Sequence, residues 1–343
     1  MWMVAAIWTA LSAISALIAI RLKFPAALVE IIIGMIVGNV IALRTNTWID
    51  FVAGFGAIML TFLAGAEIDP VVLRRQLVPS TVLGAISFFV PFLGAMAYAY
   101  FVGHWTIAAA KIAGVAMSTT SVAVVYAVMV ESDLASKEFG QLILAACFFT
   151  DLGTVLALGL LFANYNAWLV LLVGTIIVTM VVMPKLLTGV VERTRRYVSE
   201  PGFRILFAII FVLAGVAVYA KSEGVLPAYF LGLASAGVMM THEDVKRRLQ
   251  TMTMTLLAPF YFLKAGTYVS FAAAVSSVWL IIILFFIKLI AKIIGVLPAA
   301  RLVFRYPSTN ANYLTLMMAT GLTFGTISSL YGLTHHYIDR AQY

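Results

Sequence analysis

From end to end the chain alternates long apolar runs with brief polar punctuation. A membrane-spanning helix needs about 20 mainly apolar residues. That ruler marks out twelve segments: 4–20, 26–43, 49–66, 77–102, 108–130, 138–162, 167–183, 203–220, 225–240, 253–270, 278–299 and 309–332. Some connections are very short, as at RLKF (21–24) and KSEG (221–224), which predicts tightly packed antiparallel neighbours. The longest polar stretch, 185–204, falls near the middle of the chain. Two segments have polar, glycine-rich middles, MSTTSVAV (117–124) and ATGLTFGTISS (319–329), and these are where a helix is expected to break.

The pattern also repeats. FGAIMLTFLAGAEIDP (55–70) resembles TLLAPFYFLKAGTYVS (255–270), and the two stretches end the third and tenth segments. Matching three with ten matches five with twelve, the two interrupted segments. Seven is an odd offset, so the second half is expected to be inverted in the membrane. Inverted repeats with paired interrupted helices mark secondary transporters, with the site near the midplane. The expectation is an all-α polytopic protein, a single transmembrane domain over 1–343 with no soluble domain. Its first repeat is 1–162, a linker helix and loop cover 167–202, and the second repeat is 203–343. On this count segment six has no counterpart, so the second repeat is expected to lack its last helix, a thirteenth.

Composition narrows the class. Apolar residues make up 63% of the 343 and charged residues 10%, with mean hydropathy +1.06; soluble domains carry about 25% charged residues. The net charge of +8 needs no nucleic acid, because lysines and arginines collect in cytoplasmic loops of membrane proteins. Fifteen of them, including Arg74, Arg195 and Arg196, fall in odd-numbered loops, against four (Arg44, Lys111, Lys221 and Arg340) in even loops and the tail. This places the N-terminus outside. The first segment has no basic leader region and reads as a retained span. The single cysteine, Cys147, lies within a segment and permits no internal disulfide.

CFFTDLG (147–153) places a lone carboxylate, Asp151, near the centre of the sixth segment. An aspartate there costs about 2.5–3.5 kcal/mol on insertion and is usually functional. Desolvation favours its protonated form and a nearby cation its ionised form, so one carboxyl can hold a proton or a metal cation in competition. The bland alternative is a carboxylate that caps a broken helix or pairs with a lysine. Ser118, Thr119, Thr120 and Ser121 supply hydroxyls where the fifth segment breaks, and Thr150 adds a neutral oxygen beside the carboxylate. Such hydroxyls equally often bond neighbouring helices, and Gly321 and Gly325 equally serve close packing. Lys264, Lys288 and Lys292 also lie in segments, the last two on one helix face. Lys264 and Lys292 are both candidates to pair with Asp151. Glu30 is the other deep acid, read as a packing residue or one of a dimer interface.

These residues together resemble the monovalent cation/proton antiporters of the Kef and NapA type, which share the NhaA-like fold. The resemblance runs through RLKFPAALVEIIIGMIVG (21–38), LTFLAGAEIDP (60–70), STTSVAVV (118–125), CFFTDLG and KIIGVLPAARL (292–302). It implies thirteen helices in a homodimer, two interrupted crossing helices (Thr120 in one; Gly321, Thr323 and Gly325 in the other), and a prokaryotic inner membrane. It implies that Asp151 carries the proton and a monovalent cation, sodium or potassium, with Lys292 as its partner and no cofactor. Two departures stand out. Thr150 occupies the position where relatives carry an acid or an amide, and a single carboxylate favours electroneutral exchange. The second break, TGLTFGT, lacks the charged residues common in relatives. The alternative is a Kef-like potassium efflux channel or transporter subunit. No zinc motif or second deep aspartate supports an enzyme.

Overall fold

A computed structural model of the chain describes residues 2–41, 45–67, 75–132, 134, 137–162, 167–194, 201–220 and 224–343. Arg44, Arg74, Arg195, Arg196 and Lys221, and the 68–70 end of the LTFLAGAEIDP segment, lie outside these residues. All regular structure among the described residues is helical.

The elements are α1 (Trp2–Leu22), α2 (Ala26–Val40), α3 (Thr47–Ala66), α4 (Leu77–Ala97), α5 (Ile107–Ser118), α6 (Val122–Glu131), α7 (Glu138–Leu161) and α8 (Ala167–Thr194). Then come α9 (Pro201–Tyr219), α10 (Val225–Thr241), α11 (Glu243–Met252), α12 (Ala258–Thr267), α13 (Phe271–Ser276), α14 (Val278–Pro298), α15 (Ser308–Met318) and α16 (Thr323–Thr334). Every apolar segment read from the sequence is helical over most of its length. Among the described residues eight helical stretches are long and apolar enough to cross a membrane, and Ala26–Val40, Ile107–Ser118 and Val225–Thr241 are shorter apolar helices.

Boundaries differ where local chemistry overrides hydropathy. The tenth segment starts as a π-turn at Thr253–Leu257 and becomes regular helix only beside Pro259, a residue with no N–H to give to a preceding turn. The seventh segment runs on to Thr194. Helix α11 was not marked by hydropathy because only one stripe of it, Val245 and Leu249, is buried, while Glu243, Asp244, Arg247 and Arg248 are exposed.

Two compact units divide the described chain, with boundaries inside α3 and α7. The larger comprises 1–56, 76–154 and 255–343. In it α2 packs along α12 and α1. The α2–α12 crossing is so close that a Cβ on Gly34 would enter the Leu263 carbonyl and one on Gly266 would enter the Ile31 carbonyl. Trp8 stacks on Phe260 at 5.8 Å and Trp48 meets it edge-on at 5.6 Å. Elsewhere in this unit Leu83, Ile143, Ala146, Val296 and Leu314 form a shared core of α4, α7, α14 and α15. The smaller unit, 57–75 and 155–254, packs α8 against α9 and α10 around Leu172, Ile176 and Ala217.

Within the larger unit one backbone pattern occurs twice, 201 residues apart. Helix α4 ends in a π-turn at Tyr98–Val102 and α14 in one at Ala299–Val303. Each is followed by a residue in the left-handed region, His104 (φ 52°) and Arg305 (φ 55°). The Trp105 N–H donates to the Ala99 carbonyl and the Tyr306 N–H to the Ala300 carbonyl. Helices α5 and α15 then begin at 107 and 308, and both are short.

Candidate functional site

Both short helices stop where the sequence turns to hydroxyls and glycine. Helix α5 ends at Ser118, and Thr119 is extended (φ −63°, ψ 153°) before α6 resumes at Val122. Helix α15 ends at Met318 and α16 resumes at Thr323 after Leu322 (φ −141°, ψ −67°). A helix end leaves carbonyls without N–H partners and carries partial negative charge. Away from water these ends need donors or cations.

Lys292 of α14 supplies one. It is fully buried, and its ammonium donates to the Ser118 carbonyl at 2.9 Å, to Ser87 Oγ at 2.7 Å and to Thr120 Oγ1 at 3.3 Å. Those three acceptors match the three protons of an ammonium. The Thr120 hydroxyl in turn donates to the Met318 carbonyl at 3.0 Å. One lysine therefore caps the end of α5 directly and the end of α15 through a hydroxyl. The breaks also bond directly, since the Ser121 N–H donates to Thr320 Oγ1 at 3.4 Å.

Asp151 stands on α7 at 2% exposure, within electrostatic reach of Lys292. Thr150 is buried beside it and gives its hydroxyl proton to the Cys147 carbonyl at 2.7 Å. Ser118 and Thr119 likewise donate to Val115 and Ala116 of their own helix, at 2.7 and 3.1 Å. A hydroxyl that has donated its proton still offers lone pairs. The buried hydroxyls at 118–121 and 150 are thus a supply of acceptor oxygens suited to a hard cation.

Thr323 is the first residue of α16. Gly325 faces the first break, where an added Cβ would lie 3.2 Å from Thr119 Oγ1. Lys264 lies elsewhere in the unit and makes an ion pair with Asp50 of α3 at 2.7 Å. Of the two lysines read as partners for Asp151, geometry groups only Lys292 with the breaks. Glu30 is buried in α2 at 4% exposure.

Two participants were missed. Ser87 is one of several small polar residues in α4, and only the 201-residue pattern, which aligns it with Lys288, singles it out. Asp50 lies at the start of α3 and reads from the sequence as a loop-end charge. Among the described residues no group of three or more His, Cys, Asp or Glu could hold a metal ion.

Paired interrupted helices that meet around a buried lysine, with a buried aspartate close by, define the class as an ion-translocating membrane protein. The model of the family "sodium/hydrogen exchanger, transmembrane" matches residues 7–343. The chain belongs to this family. It is 27% identical over 260 residues to "Probable Na(+)/H(+) antiporter 3" of Methanocaldococcus jannaschii, an alignment covering 72% of this chain and 66% of that one, just under two thirds. It is 24% identical over 298 residues to "Probable Na(+)/H(+) antiporter GerT" of Bacillus cereus, covering 83% and 78%. The structure of the sodium proton antiporter MjNhaP1 from Methanocaldococcus jannaschii superposes with a TM-score of 0.72 at 16% identity, covering 98% of this chain and 89% of that one. That likeness is one of fold.

Proposed function

We propose that the protein is a secondary transporter that exchanges a monovalent cation, Na+ or K+, for H+ by alternating access. Asp151 binds the two ions in competition. The observation that carries this reading is a carboxylate buried to 2% within electrostatic reach of a fully buried lysine that binds the end of a broken helix. Protonated, Asp151 is neutral and carries its proton across without a metal cation. Ionised, it attracts a cation, which the hydroxyl and carbonyl oxygens of 118–121 and the Thr150 oxygen help to strip of water. Lys292 balances the carboxylate when no cation is present and holds the broken ends together as the site changes its exposure.

Further elements of this reading are a Kef/NapA-type site on an NhaA-like, inverted-repeat scaffold, a homodimer, an N-terminus outside and a prokaryotic inner membrane. The repeated π-turn pattern supports the repeat. One carboxylate without an adjacent acid supports electroneutral, one-for-one exchange. The relatives named above are antiporters by name, which gives the channel-like alternative no support.

The test uses the full-length protein in liposomes with an internal pH dye, pulsed with sodium, potassium and lithium. Cation-driven proton movement that is lost in Asp151→Asn and insensitive to a clamped membrane potential is the expected result. Undiminished exchange in Asp151→Asn would remove the site from Asp151.

A further inference from the structure

The two breaks are built alike but charged differently. At the first, Ser87 of α4 and Thr120 lie within hydrogen-bond distance of the Lys292 ammonium. The same two registers 201 residues later are Lys288 of α14 and Gly321. The structure brings these together as well. A Cβ on Gly321 would collide with the Lys288 ammonium, and would lie 3.0 Å from both the carbonyl and the hydroxyl oxygen of Thr119. A lysine thus occupies the serine register, and the missing side chain of Gly321 makes the seat for its ammonium beside the second break.

Lys288 lines a cavity of about 510 Å³ together with Ala116, Met117, Ala319, Gly321 and Ser329, and none of the described residues lining it is acidic. Its nearest fixed charge on α14 is Lys292, one turn on along the same face. The first break shows that a neutral hydroxyl suffices to build this register, so a full positive charge at the second is not required for the crossing itself. What it adds is a field, and in a site of low dielectric that field opposes a bound cation.

We propose that the Lys288 ammonium, seated on Gly321, weakens cation binding at the crossing and so sets the affinity for the transported cation. This rests on the exchange reading above and deepens it. The cargo must leave as readily as it enters, and a second ammonium near the site lowers an affinity that Asp151 alone would make high.

The test is sodium-driven proton exchange by the full-length protein in liposomes, at near-neutral pH where Lys288 carries its charge. Asp151→Asn serves as the control for the exchange reading itself: activity in that variant defeats the reading, whatever Lys288 does. With that control silent, Lys288→Gln is expected to lower the apparent KM for sodium by about threefold or more, and Lys288→Arg to keep the wild-type KM. An unchanged KM in Lys288→Gln overturns the proposal. So does an Lys288→Arg variant as altered as Lys288→Gln.

Discussion

The two interrupted helices solve one physical problem with different chemistry. At the first break the buried carbonyl of Ser118 at the end of α5 is met by an ammonium from outside the helix, with Ser87 and Thr120 completing its shell. At the second, the Met318 carbonyl is met by a neutral hydroxyl, that of Thr120, while a second ammonium rests against Gly321. The first break is thus saturated with hydrogen bonds, and the second combines a hydrogen bond with an ammonium packed against a glycine. A saturated network is rigid, since each member left alone carries a desolvation penalty. A charge held by shape acts at a distance and is tuned by small displacements. On this account the first break supplies the fixed point of the site and the second adjusts its field.

The largest expected effect comes from removing the charge both breaks serve. Asp151→Asn leaves no carboxylate to take up either proton or cation, while Lys292 keeps its three hydrogen-bond acceptors. Exchange in liposomes should fall to background. Next is Lys292→Gln, which strips hydrogen bonds from Ser118, Ser87 and Thr120. Unsatisfied buried acceptors cost about 1–3 kcal/mol each, so the detergent-solubilised melting temperature should drop along with transport, unlike in Asp151→Asn, where transport falls first. Thr120→Val keeps the side-chain shape and cuts the link between the breaks. One lost buried partner at about 1–3 kcal/mol predicts exchange lowered by roughly 10-fold. The smallest effect is expected at the Asp50–Lys264 pair, where Asp50 is 45% exposed. Partly exposed pairs contribute about 0–1 kcal/mol, so Asp50→Asn should leave the KM for sodium at wild type. A large KM change there would mean that the site extends beyond the two breaks.

Much of the helix pattern was readable from the sequence, because a bilayer imposes its thickness on every spanning run. The breaks were also readable, since STTS and TGLTFG are poor helix formers set inside apolar context. What stayed hidden depends on three-dimensional register. Lys264 and Lys292 look alike as mid-segment lysines, yet one reaches Asp50 and the other the Ser118 carbonyl. Ser87 looks like any small residue in a membrane helix until α4 and α14 are laid over one another by their π-turns. Those π-turns were themselves invisible to hydropathy, because an extra residue in a turn leaves the apolar run unbroken.

The central claim is that one carboxylate holds proton and cation by turns. The most direct test is initial sodium-driven exchange by full-length protein in liposomes, measured over a range of sodium concentrations at several pH values on the sodium side. Competition at Asp151 predicts that acidification raises the apparent KM for sodium while the maximal rate stays constant. A falling maximal rate at constant KM would place proton and cation on separate sites and contradict the account.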